Sequence, residues 1–188
     1  MSENVIARQS KAVETPSFIT LLFTDKRFAI LWLPIRVWLG MQWVEASLHK
    51  LSEPAWMKTG LALKGFWTGA IQVPAEGRPP IAYAWYREFL QSMIDAQAYT
   101  WFAKVIAVGE LVLGIALILG VFVGLTAFLA GFMNWNFIMA GSASVNGMFF
   151  GMAVMLVLAW KIAGYFGLDY FLLPKISALW SRSKTVEE

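Results

Sequence analysis

The sequence predicts an all-α fold: a polytopic membrane four-helix bundle with a long extracytoplasmic loop that contains an amphipathic interfacial helix. Three observations carry this. Of the 188 residues 59% are hydrophobic and 14% charged, against about 45–50% and about 25% in soluble domains, so the excess apolar surface calls for a bilayer as solvent. The apolar residues gather in four runs, the last three separated by short uncharged breaks. Isolated polar residues, Arg36 and Glu110 foremost, stand inside those runs, where lipid should have excluded them.

The elements follow in chain order. Residues 1–27 are polar and mixed and form a cytoplasmic tail. A cleavable leader needs an apolar core just behind a basic end, so the first apolar run is expected to be retained. That run, "FAILWLPIRVWLGMQWVEASLH", covers 28–49; a bilayer core takes about 20 residues of helix. Pro34 is a point where it can kink. Further spans are expected at 101–120, 125–141 and 148–168, the third near the short limit and the fourth with Lys161 snorkelling from its end. The breaks "GVFVG" and "GSASVNG" are so tight that the last three spans must be antiparallel neighbours. Gly147 and Gly151 make a Gly-x-x-x-Gly, a pattern that recurs by chance in apolar sequence. Residues 169–188 form a second cytoplasmic tail.

Residues 50–100 are too long a connection for a featureless loop and are expected to cap the bundle on the outer side. Within them "IAYAWYREFLQSMIDAQA" sets Trp85, Tyr86, Phe89, Leu90, Met93 and Ile94 on one helical face, with Arg87, Glu88, Gln91 and Asp95 opposite. That pattern suits a helix lying on a membrane surface. Arg8, Lys11, Lys26 and Arg27 with Lys161, Lys175, Arg182 and Lys184 narrowly outnumber the cations of 50–104, which puts both termini in the cytoplasm.

Composition also excludes. With no cysteine there is no disulfide, thiolate zinc site, cysteine-held iron–sulfur cluster or cysteine nucleophile. One histidine, His49, argues against a multi-histidine haem or copper site, and no metal is predicted. The net charge of +3 includes no basic tract of the kind that binds nucleic acid.

At about 1.5 Å per helical residue, Arg36, Glu110, Asn134 and Asn136 fall in one layer, roughly 12–18 Å from the inner face. A charge there costs about 2.5–3.5 kcal/mol, so Arg36 and Glu110 are expected to pair across the first two spans. Such a pair can glue helices or serve chemistry. Glu45 and His49, four residues apart near the outer surface, would pass protons or simply be solvated. Trp43, Trp67, Trp101 and Trp135 offer rings for stacking on a flat cofactor, or belong to an interfacial belt. Lys50, Lys58, Lys64 and Arg78 make the cap cationic, either as an anion site or as solvated side chains.

The order "LPIRVWLGMQWVEASLHKL", "GELVLGIALILGVFVGLTAFLAGFMNWNFIMAGSAS" and "AWKIAGYFGLDYFLLP" resembles the DoxX family, including the DoxD-like subunit of thiosulfate:quinone oxidoreductase, over about Leu31 to Pro174. The most telling parts are Arg36, the Gly109–Glu110 pair and "AGYFGLDYFLLP"; none is a catalytic signature. The resemblance implies a multi-pass protein of the bacterial or archaeal plasma membrane. For DoxD-like members it further implies oxidation of thiosulfate to tetrathionate, with electrons passed to membrane quinone, in a two-subunit enzyme. On that reading Glu110, Glu45, His49 and Arg36 are the candidate catalytic groups, the carboxyls and imidazole carrying protons. Asn134, Asn136, Trp43 and Trp135 would face the quinone. Arg36, Lys50 and Lys64 would hold thiosulfate or another small anion. The expected partners are bilayer lipid, a second redox subunit and further copies of the chain. The rival readings are a non-enzymatic membrane anchor or assembly partner of an oxidoreductase, and a small-solute transporter, the latter without an evident inverted repeat.

Overall fold

A computed structural model describes residues 17–184, and the side chains of 18–176. Most of the amino-terminal tail, with Arg8 and Lys11, the last four residues, and the side chains of Arg182 and Lys184 lie outside the described residues. Among the described residues the chain is all-helical, without strands. Helix α1 (Ser17–Thr24) leads through a 3-10 turn (Lys26–Phe28) into α2 (Ala29–Ser52). Three shorter helices follow, α3 (Pro54–Met57), α4 (Leu61–Ala70) and α5 (Ala84–Asp95). Then come α6 (Tyr99–Leu119), α7 (Val123–Met139), α8 (Asn146–Leu158), α9 (Trp160–Ala163) and α10 (Asp169–Lys184).

The bundle is built from two tightly packed pairs, α2 with α6 and α7 with α8. The buried stripe of α2 runs through Trp32, Arg36, Leu39, Gly40, Trp43 and Ser47, the three-and-four spacing of one helical face. Gly40 and Gly114 set how closely α2 and α6 approach: a Cβ on either would lie 2.8 Å from the other's carbonyl oxygen. Higher up, Ser47 Oγ donates to the Ala107 carbonyl at 2.7 Å. In the second pair Gly131 faces Ala153, and buried Ala127 and Ala130 keep the contact close. Helices α3 to α5 cover one end, where Leu63, Trp67, Ile81, Tyr86 and Leu90 form a second apolar cluster against the start of α6. Tyr86 ties this cap to α7, its hydroxyl donating to the Asn136 backbone and side-chain oxygens at 3.2 and 3.1 Å.

The far end departs from expectation. Instead of one helix over 148–168, the chain breaks at Ala159, makes the short α9, turns through Gly164 and Gly167, and resumes as α10. The reason is Asp169. Its carboxylate accepts from the Phe122 and Val123 amides at 2.6 and 2.8 Å, satisfying the amino-terminal donors of α7. The chain must turn back beneath the bundle to deliver it, and a Cβ on Gly164 would collide with that side chain. The segment expected as a plain carboxy-terminal tail is thus helical as far as Lys184.

By length and composition one helix among the described residues, α6, can cross a membrane; α7 and α8 are apolar but shorter. Large apolar side chains nonetheless stand exposed along several helices: Val105, Val112 and Leu119 on α6, Leu125 and Phe128 on α7, Leu158 on α8.

Candidate functional site

Glu110 is 1% exposed, and its partner is Lys50 rather than Arg36. Lys50 Nζ donates to Glu110 Oε2 at 2.7 Å and to the Ala46 carbonyl at 3.3 Å, with the Trp56 ring centred 5.4 Å away. Lys50 sits at the last turn of α2, beyond the expected span, but its long side chain reaches back along the helix toward Glu110. The expected Arg36–Glu110 pair fails because Arg36 faces the other end of α6. Its Nη2 donates to the Phe166 carbonyl at 3.0 Å, and it lies against Gly120, ten residues past Glu110 and so roughly 15 Å along the helix. The single polar layer is therefore two separate sites. A common inner edge for all helices misleads here, since α6 ends level with the Arg36 turn while α2 continues below it.

Two cavities meet around α6. The smaller, ≈ 300 Å³, gathers Trp43, Lys50, Trp56, Glu110 and Asn134, with Gln42 and Asn146 at its wall. Here three buried polar atoms have no hydrogen-bond partner: Trp43 Nε1 and both amide atoms of Asn134. Buried polar groups are ordinarily paired, so these are groups to which a ligand can bond. The larger cavity, ≈ 950 Å³, lies between the cap helices α4 and α5 and the α6–α7 face, and its walls are almost wholly apolar. Phe66 and Phe137 line both cavities and form the partition between them. Gly109 lines the larger cavity and Glu110 the smaller, as expected for adjacent residues turned about 100° apart on a helix.

The other expected residues scatter. Arg36 is buried and belongs to neither cavity; Asp169 is the acidic group whose field reaches it. Glu45 and His49 are exposed on the outer side of α2 and line neither cavity. Asn136 lines the larger cavity, but its amide is engaged by Tyr86 and by the Phe132 carbonyl. Burial pushes the Tyr86 phenol above the ordinary tyrosine range, so it remains a donor in that clamp. Trp135 is exposed and stacks on Phe132, while Lys64 lies over the Tyr99 ring. Gln42, Trp56, Phe66, Phe137 and Asn146 were not singled out from sequence. On α2, Trp43, Ala46 and Lys50 follow the spacing of the buried stripe, which Glu45 and His49 leave, and that spacing gives no signal for Gln42.

Among the described residues no set of three His, Asp or Glu side chains is gathered as metal ligands. The smaller cavity instead suits a neutral or anionic group rich in acceptor oxygens, offering an indole N–H, an amide N–H and an ammonium beside a carboxylate. Among the described residues the fold is an all-helical bundle with a helical cap. Compared with protein-family models, curated proteins and solved structures, the chain has no match.

Proposed function

We propose that the chain is a multi-pass protein of the bacterial or archaeal plasma membrane, DoxX-like, with both termini cytoplasmic, serving as a quinone-linked redox subunit. The observation that carries the reading is the small cavity, where a buried Lys50–Glu110 pair stands beside the unpartnered Trp43 and Asn134 donors. Membrane insertion is supported by the large apolar side chains exposed along α6, α7 and α8, the kind of surface that marks membrane contact.

The donor set fits a quinone ring: Trp43 Nε1–H and Asn134 Nδ2–H can each reach a carbonyl oxygen, while the aromatic walls accept the flat face. A bound quinone supplies a two-electron acceptor that takes up two protons on becoming quinol. Glu110 is the group placed to hand on a proton, and Lys50 holds the charge of its carboxylate inside the bundle. When two thiosulfate ions join through a new S–S bond they release the two electrons required. That half of the reaction is assigned to a second subunit, because Arg36 and Lys64 do not reach the cavity.

The test is to purify the protein in mild detergent, identify extracted quinone by absorbance and mass, and follow its reduction on adding thiosulfate. Stoichiometric quinone is the expected result, reduced by thiosulfate only once the second subunit is supplied, and then more slowly in a folded Glu110→Gln variant. Quinone present but unreduced would place the electron donor on a missing partner; its complete absence would leave an anchor or assembly role and overturn this reading.

A further inference from the structure

The larger cavity has no part in the chemistry just described, yet it shares two residues with the cavity that does. It is ≈ 950 Å³, near the upper end of ligand pockets, which run to about 1,000 Å³. Its walls hold no carboxylate, and the one charge on them, Lys104, is exposed. Gly109 opens it: a Cβ at this position would meet nothing within 4 Å. Val105, Val108 and Val112 of α6 and Phe132 of α7 line it and are also exposed, so the cavity continues onto the apolar flank of the bundle. Few polar groups line it, and Asn136, the amide on that wall, is already held by Tyr86.

Resting on the quinone reading, we infer that the larger cavity takes the isoprenoid chain of the same molecule whose ring binds beside Lys50 and Glu110, with Gly109 kept without a side chain to admit it. The chain leaves the ring pocket between Phe66 and Phe137, the two residues that line both cavities. It then runs past Gly109 and out along the α6–α7 flank. The Gly109–Glu110 dipeptide thus divides the ligand, glycine facing the chain and glutamate the ring. Hydrophobicity contributes little to this arrangement, since the chain exchanges lipid for protein; the requirement is room.

The experiment compares a long-chain ubiquinone with its tailless dimethoxy-methyl-benzoquinone head, each titrated by thermal shift against the purified full chain and two variants. Gly109→Leu fills the cavity from α6, where the added atoms meet open space and the helix gains a better helix former. Met93→Trp fills it from α5 on the opposite wall. Melting of each variant without quinone checks its fold. The expected result is long-chain binding weakened on the order of tenfold or more in both variants, the scale of overpacking, with head binding unchanged. Equal binding of the long-chain quinone to variants and unmodified protein would overturn the chain assignment while leaving the ring site standing. So would equal weakening of both ligands, which would place Gly109 at the ring. Failure of both ligands to bind the unmodified protein would instead overturn the quinone reading itself.

Discussion

At the cap end Lys50 and Glu110 meet at 2.7 Å on the wall of a cavity, next to donors that have no partner. At the far end Arg36 and Asp169 are buried as deeply, yet there the backbone closes in. A Cβ on Gly120 or Gly167 would collide with Arg36, and Asp169 is committed to the α7 amides. Both ends place charge inside an apolar bundle. Only the first leaves room beside it, and room next to unpaired donors distinguishes a binding site from a structural clamp.

The largest effect is expected where the clamp is broken. Gly120 ends α6 with φ +70°, and Gly120→Val adds left-handed strain to a collision with Arg36, a loss of about 2–5 kcal/mol. Thermal melting of the detergent-solubilised variant should show a collapsed transition or no folded protein; a melting point within a few degrees of the original would remove Arg36 from the clamp. Asp169→Ala comes next. Losing two charge-assisted bonds to backbone amides should destabilise by about 2–4 kcal/mol, read from the same melts, with quinone binding retained by the molecules that remain folded.

Much of this division could be anticipated and part could not. The all-helical fold and the oddity of Glu110 follow from hydropathy and spacing alone. The partner of Glu110 does not, because hydropathy leaves helix rotation free and Lys50 lies beyond the apolar run, reaching back only through its long side chain. Asn134 and Asn136 look equivalent in sequence, but two residues of helix, a turn of about 200°, send one to the polar cavity and the other to the Tyr86 clamp. The break at Ala159 was hidden for a different reason: the segment is apolar throughout, and the need to bring Asp169 to α7 is a tertiary demand.

Smaller effects sharpen the cap end. Lys50→Met leaves Glu110 buried without its cation; since Lys50 is partly exposed, the expected loss is about 1–3 kcal/mol rather than the 3–5 kcal/mol of a fully buried pair. The double variant Lys50→Met with Glu110→Gln should recover most of it, and a double variant as unstable as the single would show that the pair is not coupled. Trp43→Phe is the mildest change. Its indole N–H has no protein partner, but the smaller ring leaves a void in the buried stripe, so stability should fall by about 1–2 kcal/mol while quinone affinity falls severalfold, measured by quinone titration.

The most direct measurement is made at Asn134, whose buried amide atoms are both unpartnered. Replacing an unsatisfied buried polar side chain with an apolar one of similar size is neutral or stabilising for a fold. A residue kept for a ligand should therefore show opposite responses in stability and in binding. Quinone retained through purification should be determined for the unmodified chain and for Asn134→Leu, and the melting points compared after quinone has been extracted from both, because bound quinone itself raises melting. The account predicts that the variant melts at the same or a higher temperature and has lost its quinone. A variant that melts lower, or that keeps as much quinone as the original, would contradict a ligand site at the Lys50–Glu110 end of the bundle.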